Sequence, residues 1–103
     1  MSNPTSGTWT GFYVQYDKQH RFGIDLDFES NGTIKGEGID SVGAFDISGT
    51  WKSNNTVDFT KAYRGAHSIY YTGYTESNGR KLRGKWGFSN SSTGNDNEFE
   101  MTI

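Results

Sequence analysis

Hydrophobic and polar residues alternate along most of the chain. The clearest case sets Phe22, Ile24, Leu26 and Phe28 against Arg21, Asp25, Asp27 and Glu29, the mark of a strand with one buried face. The same two-residue period turns Phe45, Ile47, Gly49 and Trp51 inward against Asp46, Ser48, Thr50 and Lys52. It also opposes Leu82, Gly84, Trp86 and Phe88 to Arg83 and Lys85, and Asn97, Phe99, Met101 and Ile103 to Glu98, Glu100 and Thr102. Further strands are predicted over residues 8–16, with Trp9, Gly11, Tyr13 and Gln15 on one face and Thr10, Phe12, Val14 and Tyr16 on the other. Three more are predicted: over residues 33–40, at Val57 and Phe59, and over 67–76. Residues 61–66 read as a looser segment and 89–96 as a polar loop. Ser30-Asn31-Gly32, Ser53-Asn54-Asn55 and Ser77-Asn78-Gly79 punctuate the strands, and no stretch has a helical period.

Eight regularly spaced strands joined by short turns should lie beside their sequence neighbours. The fold class predicted is all-β, an eight-stranded antiparallel up-and-down barrel over residues 7–103, because ring closure removes both open edges. An open two-sheet sandwich is the alternative. Residues 1–6 read as a disordered lead. Outward Arg83 and Lys85 should meet Glu98 and Glu100 on the adjoining strand. Gly36 and Gly38 share the inward side of their strand with Ile34 and Asp40, so they mark a bend or a close approach. Ser6-Gly7-Thr8-Trp9, Ser48-Gly49-Thr50-Trp51 and Arg83-Gly84-Lys85-Trp86 share a Gly-x-Trp pattern, in which glycine is expected to leave room beside each indole.

Composition narrows the function classes. Only 31% of the 103 residues are hydrophobic, yet 16% are aromatic and 14 are glycine, so a few large rings must fill one modest core. A net charge of −2 gives no attraction to nucleic acid or to a membrane surface. The absence of cysteine excludes disulfides, thiol chemistry and thiolate metal sites. With no apolar leader and no long apolar run, the chain is expected to be soluble and cytoplasmic. His20 and His67 sit in no nucleophile or zinc motif, so neither an enzyme nor a cofactor is expected. Asp27, Glu29 and Asn31 loosely follow a calcium loop, but Gly38 stands where the bidentate carboxylate belongs. Asn31, Asn54 and Asn90 head glycosylation sequons that matter only in a secretory compartment.

Several strings resemble the avidin and streptavidin family of eight-stranded barrels. These are Gly7-Thr8-Trp9, Lys35-Gly36 through Val42-Gly43, Thr56-Val57, Gly94-Asn95-Asp96 and above all Tyr63-Arg64-Gly65-Ala66-His67-Ser68. The resemblance implies a non-catalytic barrel that holds biotin in its open end, usually as a tetramer. It makes Ser68 and Trp86 ligand contacts and sets Asn97 where a ligand-binding aspartate is expected. The departures are as telling. Gly11, Gly38 and Asp40 stand at positions of an asparagine, a tyrosine and a serine, Phe59 replaces a cage tryptophan and Tyr70 a threonine. Tight biotin binding is therefore not expected.

Together these readings give a small-molecule site lined by Tyr13, Asp40, Phe59, Ser68, Tyr70, Trp86 and Asn97, with Asp40 favouring a cationic or donor-rich ligand. The same aromatics would serve equally well to fill a narrow barrel. The other reading is a homo-oligomeric assembly module, a dimer or tetramer, with Phe12, Val14, His67, Ile69 and Tyr71 as its outward-facing interface.

Overall fold

A computed structural model of the chain describes residues 4–40, 42–88 and 97–103. Eight strands follow one another in order: β1 (Gly7–Gln15), β2 (Lys18–Phe28), β3 (Thr33–Ile39), β4 (Ala44–Trp51), β5 (Thr56–Tyr63), β6 (Ser68–Glu76), β7 (Lys81–Gly87) and β8 (Asn97–Thr102). Each pairs antiparallel with the next, and β8 returns to β1 with Gly11 opposite Met101 and Tyr13 opposite Phe99. The sheet is a closed up-and-down barrel, not a sandwich.

The expected turns form, each by its own chemistry. Asn31 and Asn54 turn their side-chain oxygens onto the backbone two residues ahead, accepting the Thr33 amide at 3.0 Å and the Thr56 amide at 3.2 Å. Two of the three sequon asparagines are thus turn formers, while Asn90 lies outside the described residues. Ser77–Gly79 makes a single 3₁₀ turn. The β1–β2 connection lacks the Asn and Gly punctuation of the other turns. It is a two-residue hairpin of Tyr16 and Asp17, both with positive φ (53° and 60°), so β2 begins at Lys18. Asparagine and glycine usually supply that geometry, and their absence hid the turn.

Inward positions carry the core: Trp9, Ile24, Ile34, Phe45, Val57, Leu82, Phe99 and Met101 are almost wholly buried. At the end where β2, β4 and β6 finish, Pro4 is buried, Thr5 donates its amide to the Gly79 carbonyl and accepts the Trp9 indole N–H at 2.8 Å. Ser6 caps the Phe28 amide at 2.9 Å. Residues 4–6 therefore seal this end, and residues 1–3 of the expected disordered lead lie outside the described residues.

Five inward positions, Gly11, Gly36, Gly49, Gly73 and Gly84, have no room for a side chain, because a Cβ there would run into backbone of the neighbouring strand. The coiling needed to shut so narrow a ring drives adjacent backbones together at these points. At Gly49 and Gly84 the glycine accommodates a neighbouring strand, not an indole as the Gly-x-Trp pattern suggests. On the outer wall, Arg83 and Lys85 register with Glu100 and Glu98 as expected. Lys85 pairs with Glu98 at 3.3 Å, while Arg83 turns to Glu76.

Two expectations about β5 and β6 are overturned. The segment expected to be loose from residue 61 continues β5 as far as Tyr63, and the chain reverses tightly at Gly65 (φ 73°). Within β6, Tyr71 is opposite Phe59 and buried with it, so Ile69, Tyr71 and Thr75 point inward. Ser68 and Tyr70, expected inside, occupy the outer face. Since side chains alternate with period two, one inverted choice reverses the whole strand.

Candidate functional site

Among the described residues, the open end lies where β1, β3, β5 and β7 finish. It holds a cleft of about 220 Å³ walled by Tyr13, Gln15, Lys61, Tyr71, Trp86 and Phe88, with Val42, Tyr63, His67 and Ile69 completing it. Its floor is a ring cluster: Phe59 stacks on Tyr71 at 4.8 Å and Phe99 meets Tyr71 edge-on at 5.1 Å. Such pairs contribute roughly 0.5–1.5 kcal/mol each beyond their buried area. Tyr13 leans on Trp86 and Phe22 at 5.6 and 5.5 Å, and Trp86 is fixed by donating its indole N–H to the Val14 carbonyl at 3.2 Å. Among the described residues, buried side chains fill much of the interior. Three larger hollows among the described residues, of about 570, 680 and 250 Å³, are open saddles on the outer wall.

Lys61 is the centre of the site. Its side chain is only 2% exposed, and its Nζ lies within 6 Å of four ring centres: Phe45 (4.8 Å), Tyr63 (5.1 Å), Phe22 (5.4 Å) and Tyr71 (5.9 Å). A negatively polarised ring face attracts a cation, so the barrel carries an aromatic cage already occupied by its own ammonium. Among the described residues, the one carboxylate beside it is Asp40, whose Oδ2 lies 3.4 Å from Nζ and accepts the Tyr63 hydroxyl at 2.6 Å, while Oδ1 accepts the Val42 amide at 2.9 Å.

The charges follow from this geometry. Burial pushes the Asp40 carboxyl up, but the Tyr63 hydroxyl, the Val42 amide and the Lys61 ammonium outweigh it and hold it below its ordinary value. Burial lowers Lys61, and Asp40 only partly restores it. Tyr71 and Tyr63 are raised first by burial, Tyr63 further by its bond to Asp40, so both stay neutral phenols.

Of the residues expected to line a pocket, Tyr13 and Trp86 do so. Phe59 lies beneath as floor, Asp40 acts through Lys61 and Tyr63, and Asn97 sits half-buried opposite Trp86. Ser68 and Tyr70 are on the outside wall. Asp40 is not free for a cationic ligand, because Lys61 is already its counter-ion. The expected interface set divides: Phe12 and Val14 face outward, whereas His67, Ile69 and Tyr71 belong to the cleft. Lys61, Tyr63 and Gln15 were not anticipated as site residues. For Lys61 and Tyr63 the signal is the unbroken alternation Val57, Phe59, Lys61, Tyr63, and for Gln15 its place on the face of Trp9 and Tyr13.

Gly11 and Gly38 acquire a structural meaning. A side chain at Gly11 would collide with the Glu100 backbone and one at Gly38 with the Phe45 ring. The polar groups that the resemblance places at these two positions have no space here. Among the described residues, no three His, Asp or Glu side chains converge as metal ligands. Comparison with family models, curated proteins and solved structures found no match.

Proposed function

We propose that this protein is a non-catalytic barrel that binds a compact, partly aromatic small molecule at its open end. The observation that carries this reading is the ring-walled cleft with Lys61 at its base. Apolar walls with few convergent polar groups are the usual construction of small-molecule sites. A dry apolar cavity of about 150 Å³ already accepts benzene, and the cleft, at about 220 Å³, suits a ligand of one ring with a short substituent. The rim favours apolar contact too, since Ile39, Val42 and Phe88 are more than half exposed at this end. Biotin is a poor fit, for the positions discussed above are glycines with no space to be anything else.

The test is a titration of isotope-labelled protein with benzyl alcohol, benzoate and biotin at millimolar concentration. Shifts confined to Trp86, Ile69 and Gln15 with a single-ring compound, and none with biotin, are expected. If neither single-ring compound moves these signals, the reading is wrong.

A second reading, self-association through the outer wall, is favoured by one observation: Tyr74 is 43% exposed and shares a saddle with Phe12 across Arg83 and Glu100. Light scattering at micromolar concentration is expected to give a dimer or larger species that Phe12→Asp reduces to monomer. A wild-type monomer overturns it.

A further inference from the structure

We infer that Lys61 is a covalent capture site for small aldehydes, forming a protonated imine at the base of the cleft. The inference rests on the ligand-binding reading of the open end and names the chemical class of its ligand.

Among the described residues, the groups around the Lys61 nitrogen are complementary to positive charge: one carboxylate at 3.4 Å and four ring faces within 6 Å. An iminium at the same nitrogen keeps that charge, so the surroundings that stabilise the ammonium also stabilise the product. The amine nonetheless reacts only when neutral, and burial shifts it toward that form, Asp40 opposing. The reaction conserves charge. The ammonium gives one proton to solvent or to the Asp40 carboxylate, the neutral nitrogen attacks the carbonyl carbon, and a C–N bond forms. The carbinolamine then loses its hydroxyl with the returned proton as water, leaving the C=N bond protonated. Aldehyde plus ammonium gives iminium plus water, and no oxidant or reductant enters. The Tyr63 hydroxyl, bonded to Asp40 at 2.6 Å, keeps that carboxylate in place beside the nitrogen. Water is largely excluded at a side chain 2% exposed, which slows hydrolysis of the imine. Lys18, Lys35, Lys52, Lys81 and Lys85 lie on the outside of the molecule, where an imine meets bulk water. Aromatic walls at Tyr13, Trp86 and Phe88 select an aldehyde on a flat apolar body.

The probe is benzaldehyde with cyanoborohydride, which reduces the imine to a stable benzylamine, on the full chain at pH 6, with the modified lysine located by peptide mass mapping. Lys61 is expected to be labelled about tenfold faster than the mean of the five surface lysines. Lys61→Met should abolish the fast label and leave the slow surface labels unchanged. If that variant does not fold, the wild-type map alone decides. Labels spread over the surface lysines, with Lys61 unmodified, overturn the inference. In that case shifts at Trp86 and Ile69 with benzyl alcohol leave the binding reading standing, and their absence removes both.

Discussion

Gly49→Ala is expected to cost about 3 kcal/mol or more, enough to unfold a large share of the molecules of a small domain. The new Cβ would meet the Asp58 carbonyl and the Phe59 backbone, and backbone held in a closed ring has nowhere to retreat. Gly84→Ala, which would meet the Thr72 carbonyl, should behave alike. Gly23→Ala is the control. Its Cβ would find the Trp9 carbonyl at 3.5 Å and a Thr10 methyl at 3.7 Å, ordinary contacts. Because alanine has less freedom to lose on folding, that change should lie within about 1 kcal/mol of wild type, on the stabilising side. Urea midpoints of the three variants decide it. Equal losses at Gly23 and Gly49 would show that the inward glycines do not mark points of backbone collision.

Asp40→Asn is expected to destabilise by about 3 kcal/mol near neutral pH, because it takes from the buried Lys61 ammonium its Asp40 counter-charge. Lys61→Met should be far milder, between neutral and about 2 kcal/mol stabilising, since a thioether fills the ring box with no ion to desolvate. The double variant should recover most of the Asp40→Asn loss. pH separates the contributions. The Asp40 carboxyl is lowered in the fold, so its contribution is present above its ordinary value of 3.8 and is lost as pH falls below it. Wild type and Asp40→Asn should therefore converge in acid. Lys61 is lowered too, so the unfolded chain binds more protons as pH approaches the ordinary 10.5 and stability rises in that window. The Asp40→Asn variant should accordingly lose less at pH 9 than at pH 6. Denaturant midpoints across pH 2.5–9 provide the check, and an Asp40→Asn loss independent of pH would refute the role given to the pair.

The barrel was legible in the sequence because most strands carry an unambiguous alternation, as β2 does with Phe22, Ile24, Leu26 and Phe28. The site was legible only in part, because β6 does not. In Ser68-Ile69-Tyr70-Tyr71-Thr72-Gly73-Tyr74-Thr75 each face offers aromatics and hydroxyls, so burial alone does not choose between them. The choice is made across the sheet, where Tyr71 registers with Phe59 and the two rings stack. Lys61 was passed over for a related reason. A lysine in a strand ordinarily faces water, and only the rings contributed by β2, β4, β5 and β6 make an inward position tolerable for it. Trp86 sits on a strand with a clear alternation and Tyr13 on one whose two faces both carry rings, and both line the cleft.

Seven of the eight seams in the ring join strands that are consecutive in the chain, and each can assemble as a hairpin beside the last. The remaining seam brings Gly11 to Met101, across nearly the full length of the chain, and its loop-closure entropy must be met before any of its hydrogen bonds form. A sheet with that seam unmade would be a curled ribbon with two unpaired margins. The β8 margin is guarded by Glu98 and Glu100, whereas β1 from Trp9 to Val14 carries no charge at all. It is therefore β1, in a ribbon that has not yet shut, that lies open to pairing with a strand from another chain.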